Sequence, residues 1–360
     1  MSPRRALLVA PRRIGDVLLV TPLLASLHAA WPQARIDALV FAGTGGVLEG
    51  QPGLGEILAI DERPALRDHL RLLARIAGRY DVALSAVPSD RSTLYARIAA
   101  RQAAGVVAPG LQQRWKRVLL GHAVPFDDLD THSVVQSLRL ADALGIGRVA
   151  RVHVASAPLP APVEAELGRD PFAVIHPSPR FRYKLWSPDA QVDFAHWLQA
   201  AGLRPVLTGS ADAREREQAD WLAQRMPANT LNLCGRLTLA QLGRLLGLAR
   251  LYAGPDTVAT HLAAAAGVPT IALFGPSNPV KWGPWPVDWT DDASPWSRVG
   301  SARQGNVWLI QGEADCEPGV PCLAEGCDRH IDSGSRCLES LPASRAIDAA
   351  RELLGLPASD

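Results

Sequence analysis

The chain has 360 residues, which exceeds the usual size of one domain and predicts two domains of about 150 to 180 residues. Hydrophobic residues make up 48% of the chain and charged residues 20%, as expected for a globular protein with a full core. The formal net charge is +1, and no basic stretch is interleaved with aromatic residues. Nucleic-acid binding is therefore not expected.

The N-terminal sequence argues against export. An apolar run over residues 6–10 is interrupted at once by Pro11-Arg12-Arg13, and it is too short for a signal peptide. No run of about 18 apolar residues occurs, so a spanning helix is not expected. These patterns predict a cytoplasmic protein with reduced cysteines, and they leave open a peripheral contact with the inner face of the inner membrane.

The first half of the chain alternates short apolar runs with longer amphipathic patterns. Apolar runs of this length between helices are typical of a parallel sheet covered on both faces. Strands are predicted at residues 6–9, 36–41, 56–60, 82–87 and 105–108, and helices at 15–30, 65–79 and 130–144.

A proline-rich stretch over residues 155–162 predicts a stiff extended linker between domains. We expect an N-terminal domain over residues 1–155, a C-terminal domain over 165–335, and a terminal helix and tail over 336–360.

The second half repeats the alternation and predicts a second doubly wound sheet. Two such domains facing each other across a cleft would place a ligand at the carboxyl ends of their strands. Strands are predicted at residues 172–176, 205–208, 231–234, 251–253, 270–274 and 306–310, and helices at 190–201, 211–225, 239–248, 257–266 and 344–354.

The turn after the first strand reads Arg12-Arg13-Ile14-Gly15-Asp16. Gly15 permits close backbone approach, and Asp16 has two interpretations: a helix cap, or a carboxylate that takes a proton from an acceptor hydroxyl. No G-x-G-x-x-G pattern follows the strand, which argues against a dinucleotide-binding dehydrogenase.

The segment over residues 176–188 follows the first strand of the second half. Arg180, Arg182 and Lys184 place three cations within five residues, a pattern suited to phosphate oxygens, and Ser178 precedes them. The alternative is a solvated basic loop.

Two further segments follow strands of the second half. Thr208-Gly209 leads into a helix that carries Glu215, which could accept hydrogen bonds from a ribose or simply belong to a capped surface helix. Gly275-Pro276 opens a loop rich in glycine, proline and tryptophan, which either faces a ligand or forms a rigid surface loop.

The segment Gly254-Pro255-Asp256-Thr257 begins a helix that continues through Val258 and Ala259. Unpaired backbone N–H groups at such a helix start, together with threonine hydroxyls, form an anion site suited to a diphosphate. His261 lies one turn into the helix, where it could contact the phosphate or brace the loop.

Taken together, these motifs resemble glycosyltransferase family 9, the lipopolysaccharide heptosyltransferases, and within it the heptosyltransferase III-like branch. They occur in order over nearly the whole chain, and in combination they are specific. The matching features are Gly15-Asp16, Lys184-x-Trp186, Asp256-Thr257-x-x-x-His261-Leu262-Ala263-Ala264-Ala265 and Leu273-Phe274-Gly275-Pro276-Ser277.

The resemblance implies an α/β protein of the GT-B fold, with the acceptor on the N-terminal domain and the nucleotide sugar on the C-terminal domain. It implies inverting transfer of heptose from ADP-heptose to a lipopolysaccharide inner-core or lipid A-linked acceptor, without an obligatory metal. Asp16 matches the general base, and Lys184 the lysine that offsets the leaving diphosphate. Thr257 and the neighbouring amides match the phosphate cradle, and Glu215 the ribose ligand. The candidate donor contacts are Ser178, Arg182, Thr208, Gly209, Glu215, Asp256, Thr257, Val258, Ala259, His261, Gly275 and Pro276, and the candidate acceptor contacts are Arg12, Arg13 and Gly15.

Val258 departs from the family pattern, because many members have glycine after Asp-Thr or Asp-Ser. A β-carbon there limits backbone approach to the phosphates. This departure leaves three alternatives open: transfer from another nucleotide sugar, a GT-B epimerase, or a non-catalytic sugar-nucleotide-binding protein of envelope assembly.

Four cysteines cluster at Cys316, Cys322, Cys327 and Cys337, with His330 among them. Such a loop could fold around a structural zinc, although it lacks the C-x₂-C spacing of a zinc knuckle. Reduced thiols or a disulfide are the alternatives, and the resemblance assigns the cluster a local structural role outside catalysis.

Overall fold

The computed structural model describes residues 3–357 and shows two compact units. The first unit runs up to Ala155 and includes Thr290–Ser294. The second unit covers Ser156–Trp289 and the chain from Pro295 onward. The last residues of the predicted tail, 358–360, lie outside the described residues. Within residues 3–357 no helix is both long and apolar enough to cross a membrane.

A six-stranded parallel sheet forms the centre of the first unit, in the order β3-β2-β1-β4-β5-β6. The strands β1 and β4 pair side by side, so the strand order reverses between them. Buried aliphatic side chains cover both faces, as the apolar runs predicted. The strands are β1 Arg5–Val9, β2 Arg35–Phe41, β3 Leu54–Ile60, β4 Tyr80–Ser85, β5 Ala100–Val107 and β6 His122–Pro125.

Helices cover both faces of this sheet. Right-handed crossovers place the helices that follow β3, β4 and β5 on the face opposite to the helices near β1, because the chain reverses its direction across the sheet. The helices are α1 Ile14–Leu18, α2 Thr21–Ala30, α3 Leu66–Ile76, α4 Asp90–Ala99, α5 Arg114–Leu119 and α6 Ser133–Ala143.

The prediction of one continuous helix over residues 15–30 was wrong, because the chain breaks between α1 and α2. Pro22 has no N–H group and cannot donate to the carbonyl of Leu18 four residues earlier. The hydroxyl of Thr21 donates to Leu18 O at 2.7 Å instead. Two short helices therefore replace the predicted long one.

A seven-stranded sheet forms the centre of the second unit, in the order β12-β13-β11-β10-β7-β8-β9. All neighbours are parallel except β12 and β13. The strand order reverses at β7, which lies between β10 and β8. The strands are β7 Phe172–Ile175, β8 Arg204–Leu207, β9 Leu231–Asn232, β10 Leu251–Pro255, β11 Thr270–Phe274, β12 Ala302–Gln304 and β13 Val307–Gln311.

Polar side chains cap several helices of the second unit. The Ser187 side chain accepts from Ala190 N, with Pro188 in the first helical position. The predicted linker is shorter than expected, since a helix begins inside it at Ala161. The helices are α7 Ala161–Leu167, α8 Pro188–Ala200, α9 Ala213–Ala223, α10 Leu239–Leu246, α11 Val258–Ala265, α12 Pro279–Trp282, α13 Arg336–Glu339 and α14 Ala343–Leu354.

Candidate active site

Asp16 lies at the carboxyl end of β1, where the strand order of the first sheet reverses. It sits in the first turn of α1, and its carboxylate oxygen lies 4.0 Å from Nε of Arg12. The N-cap position of that helix is Arg13, and Asp16 lies three residues later, within the first turn. A β-carbon at Gly15 would meet nothing within 4 Å, which leaves open space beside the backbone.

Lys184 and Asp256 form the central contact of the second unit. The ammonium Nζ of Lys184 lies 2.5 Å from Oδ2 of Asp256 and donates to its carbonyl oxygen at 3.3 Å. Burial raises the pKa of Asp256, but the charge and hydrogen bond of Lys184, together with the effects of His261 and Ser277, outweigh burial and hold the pKa below its usual value. The two side chains therefore form a charged pair, with the carboxylate more deeply buried than the ammonium.

His261 completes this cluster as a neutral group. Its Nε2 lies 3.8 Å from Oδ1 of Asp256. Burial lowers the pKa of His261 to about 4, against the opposing effect of the Asp256 carboxylate. Its Nδ1 is buried and has no hydrogen-bond partner among the described residues. His261 is thus a hydrogen-bonding group near the pair and not a second cation at neutral pH.

The start of α11 presents unpaired amides beside this pair. Thr257 is the N-cap residue with an extended backbone, and its side chain makes no capping bond to the first turn. The N–H groups at the start of an α-helix have no partner within the helix, and the helix dipole makes them attractive to an anion. Here those groups belong to Val258, which is half-buried, and Ala259, which is buried.

Residues after β7 and β8 meet at the same edge of the sheet. Nδ1 of His176 lies 3.2 Å from Oγ1 of Thr208, and burial lowers the pKa of His176 to about 4. The hydroxyl of Ser178 is buried and has no hydrogen-bond partner in residues 3–357. A buried hydroxyl of this kind is available to a ligand.

The basic segment after β7 divides in two. Lys184 lies against Asp256, whereas the side chains of Arg180 and Arg182 are exposed. The interpretation as a solvated basic loop therefore describes the two arginines better than the lysine.

Glu215 and Gly209 are held by contacts within the protein. The Glu215 carboxylate accepts from Ser210 N at 2.7 Å, near the start of α9 that Asp212 caps. A β-carbon at Gly209 would lie 2.5 Å from Sγ of Cys234, so close packing against this thiol requires the glycine. The sequence marked Gly209 as a candidate donor contact and gave no signal of its packing against Cys234.

The loop after β11 is buried and is not a surface loop. Gly275 and Pro276 are both buried, and a β-carbon at Gly275 would lie 2.8 Å from Leu338 Cδ1. The next residue, Ser277, hydrogen-bonds to Asp256 and helps to lower its pKa. Ser277 was missed as a site residue, although its position three residues after the strand gave a signal.

The four clustered cysteines lie close together as free thiols. Burial raises the pKa of Cys337 to about 11, and the nearby Cys322 and Cys327 add to the effect. The backbone N–H of Arg336 donates to Cys327 Sγ at 3.4 Å. Across residues 3–357, no three His, Cys, Asp or Glu side chains are arranged to hold a metal ion.

Comparison with known proteins identifies the family. The profile of glycosyltransferase family 9 (heptosyltransferase) matches residues 70–291, more than half of the chain. The chain belongs to this family. It is therefore a glycosyltransferase, as the motifs predicted.

Individual relatives agree with this assignment. Lipopolysaccharide heptosyltransferase 3 of Escherichia coli is 29% identical over 290 residues, covering 75% of this chain and 83% of the relative. Among solved structures, E. coli ADP-heptose lps heptosyltransferase II has a TM-score of 0.70 at 20% identity and covers 97% of this chain and 98% of its own. E. coli heptosyltransferase WaaC with ADP also has a TM-score of 0.70, at 17% identity, covering 97% and 99%. The two doubly wound sheets thus have the GT-B fold that the sequence predicted.

Proposed function

We propose that this glycosyltransferase moves heptose from ADP-heptose to a lipopolysaccharide inner-core acceptor in the cytoplasm. Support comes from the family, from the lipopolysaccharide heptosyltransferases among its relatives, and from the related enzyme solved with ADP. The observation that carries the proposal is the contact between Lys184 and Asp256 beside the open amides of α11.

In this proposal the second unit binds the donor. The diphosphate lies against the N–H groups of Val258 and Ala259 and accepts from the hydroxyls of Thr257 and Ser178. Lys184, already held by Asp256, offsets the charge that develops on the leaving phosphate. The remaining proposed donor contacts are Arg182, Thr208, Gly209, Glu215, His261, Gly275 and Pro276.

The first unit binds the acceptor and supplies the base. The carboxylate of Asp16 takes the proton of the acceptor hydroxyl, while the oxygen of that hydroxyl bonds to the anomeric carbon of heptose. The bond from that carbon to the phosphate oxygen breaks, ADP leaves, and the anomeric configuration inverts. Arg12 and Arg13 hold anionic groups of the acceptor beside Gly15.

We further propose that transfer needs no metal and that the clustered cysteines act as local packing. A structural zinc at Cys316, Cys322, Cys327 and Cys337 is the alternative. Elemental analysis of the purified protein distinguishes the two: about one zinc per chain, together with a lower melting temperature after chelation, would favour the zinc site.

Val258 favours a second candidate, transfer from a nucleotide sugar other than ADP-heptose. Its β-carbon stands at the first position of α11, where it limits how closely a phosphate approaches the backbone. Measuring hydrolysis and transfer with ADP-, UDP- and GDP-sugars separates the two functions. Preference for ADP-heptose supports the main proposal, and binding without turnover of any donor would indicate a non-catalytic protein.

A further inference from the structure

The charge of the first unit is distributed unevenly along the chain. Residues 63–117 contain eleven Lys and Arg against three Asp and Glu, a formal charge of +8, whereas the whole chain carries +1. The rest of the chain is therefore net negative. A local excess of this size creates a positive potential that the overall charge conceals.

The same stretch of chain is unusual in its exposed apolar side chains. Fourteen large hydrophobic side chains are exposed among residues 3–357, and seven of them lie between Leu66 and Val118. Scattered exposed leucines are ordinary, but a concentration of this kind marks an interaction surface. The seven are Leu66, Leu70, Leu94, Ile98, Leu111, Trp115 and Val118.

These side chains share one layer of the fold. They belong to α3, α4, α5 and the turn before α5, which follow β3, β4 and β5 on one face of the sheet. Tyr95 Oη lies 2.7 Å from His69 Nδ1 and joins α4 to α3. Lys116 Nζ lies 2.6 Å from Asp90 Oδ1 and joins α5 to α4. We call the outer side of these three helices, together with the exposed Arg101 at the start of β5 directly after α4, the basic face.

Several arginines of the basic face are exposed and unpaired. Arg101, Arg114 and Arg117 have no acidic side chain within salt-bridge distance in the described chain. Arg71 and Arg75 pair with acidic residues but are themselves largely exposed. Arginine can keep its charge in water or among phosphates while its aliphatic stem lies on apolar atoms. The positive charge and the exposed apolar side chains of this face can therefore contact one partner at the same time.

We propose that the basic face docks on an anionic lipid bilayer. Positive charge complements phosphate head groups, and exposed Leu, Val and Trp side chains enter the boundary between head groups and acyl chains. A protein partner of ordinary composition would not require so large a charge excess. The inference adds to the proposed function, since a lipid A-linked acceptor lies in a bilayer, but it is carried by the surface itself.

The test measures binding of the full chain to vesicles by co-sedimentation. One set of vesicles is pure phosphatidylcholine and the other contains about one-third phosphatidylglycerol. We expect binding only to the anionic set and release at high salt. The variant R101Q/R114Q/R117Q should lower the partition coefficient roughly 100-fold, because each basic side chain near the surface contributes a factor of about five.

Matched variants make the result specific. R169Q/R244Q/R250Q removes three exposed arginines from the second unit and should leave binding within about twofold of the wild type. L111S/V118S keeps the charge and should weaken binding to the anionic vesicles at low salt. Equal binding to both vesicle sets, or unchanged binding by R101Q/R114Q/R117Q, overturns the proposal. The proposal is also overturned if the wild type binds no vesicles and instead forms a dimer that L111S/V118S abolishes.

Transfer to a soluble, deacylated core acceptor separates this proposal from the proposed function. R101Q/R114Q/R117Q should match the wild type in that assay, which also shows that the variant is folded. A wild type that binds anionic vesicles but transfers nothing to any acceptor would contradict the proposed function and leave the docking surface intact.

Discussion

Lys184 Nζ lies 2.5 Å from Asp256 Oδ2, although the two residues are 72 positions apart in sequence. The contact arises because β7 and β10 are parallel neighbours, so the residues that follow them meet at one edge of the sheet. The charge of Lys184 is thus balanced before any donor arrives. In the proposed reaction Asp256 holds the ammonium of Lys184 in place, and the leaving phosphate is the second anion that this ammonium contacts.

The pair predicts a strong coupling in stability. Lys184→Met leaves the buried carboxylate of Asp256 without a cation and should destabilise the second unit by about 3–5 kcal/mol. The double variant Lys184→Met/Asp256→Asn removes both charges and should be clearly more stable than Lys184→Met alone. Urea unfolding of the wild type, Lys184→Met, Asp256→Asn and the double variant gives the coupling energy. The exposed pair Arg303–Glu352 is the control, and its removal should cost less than about 1 kcal/mol. Additive effects of the two site substitutions would show that the pair contributes nothing.

Asp16 should affect catalysis and leave donor binding intact. Asp16→Asn keeps the shape of the side chain but removes the base, so kcat should fall about 10²- to 10⁴-fold. The affinity for ADP, measured by calorimetry, should change less than about twofold because Asp16 belongs to the other unit. Asp61→Asn, an exposed carboxylate after β3, is the control. A kcat within threefold of the wild type, roughly the scatter between such variants, would exclude Asp16 as the base.

Two buried histidines predict a stability that falls in mild acid. Burial lowers the pKa of both His176 and His261 from 6.5 to about 4. Between about pH 6.5 and pH 4 the unfolded chain therefore binds more protons than the folded chain, and the free energy of unfolding decreases as the pH falls. Each histidine should contribute about 3 kcal/mol of this loss.

The measurement is urea unfolding across that pH range. His261→Gln should reduce the slope of stability against pH by about half, whereas His196→Gln, at an exposed site, should leave the slope unchanged. An unchanged slope in His261→Gln would mean that His261 is not buried in its neutral form.

Asp37 should matter for stability alone. Its buried carboxylate binds Tyr80 Oη at 3.0 Å, Arg35 Nε at 2.9 Å and Glu56 N at 2.7 Å. Burial would raise the pKa of Asp37, but these hydrogen bonds hold it below its usual value. Asp37→Ala should cost roughly 3 kcal/mol, because it leaves the Tyr80 hydroxyl unsatisfied. The network lies at the amino ends of the strands, so kcat of the folded variant should equal that of the wild type. A large fall in kcat would refute this separation.

The sequence predicted the central strands of both sheets and the edge at which the candidate site lies, but it missed the outermost strands β6 and β12. Fully apolar runs defined the buried strands, and the polar residues after them had to share the carboxyl edge of a parallel sheet. Helix α4 was missed because its exposed Leu94 and Ile98 disguise the helical period. These two exposed apolar side chains also belong to the basic face.

Contacts between distant segments could not be read from the sequence. The pairing of Lys184 with Asp256 depends on the register of β7 with β10, and the packing of Gly209 depends on Cys234 after β9. Local patterns specify which residues follow a strand, but tertiary packing decides which of them meet. The same reason explains why Ser277 was missed.

Release of ADP from ADP-heptose, measured with and without a heptose-bearing inner-core acceptor, decides whether this protein is a heptosyltransferase. We expect ADP release that depends on the acceptor, inversion at the anomeric carbon of the product, and loss of both in Asp16→Asn. No binding of ADP-heptose at millimolar concentration, or transfer from UDP- or GDP-sugars in its place, would contradict this expectation.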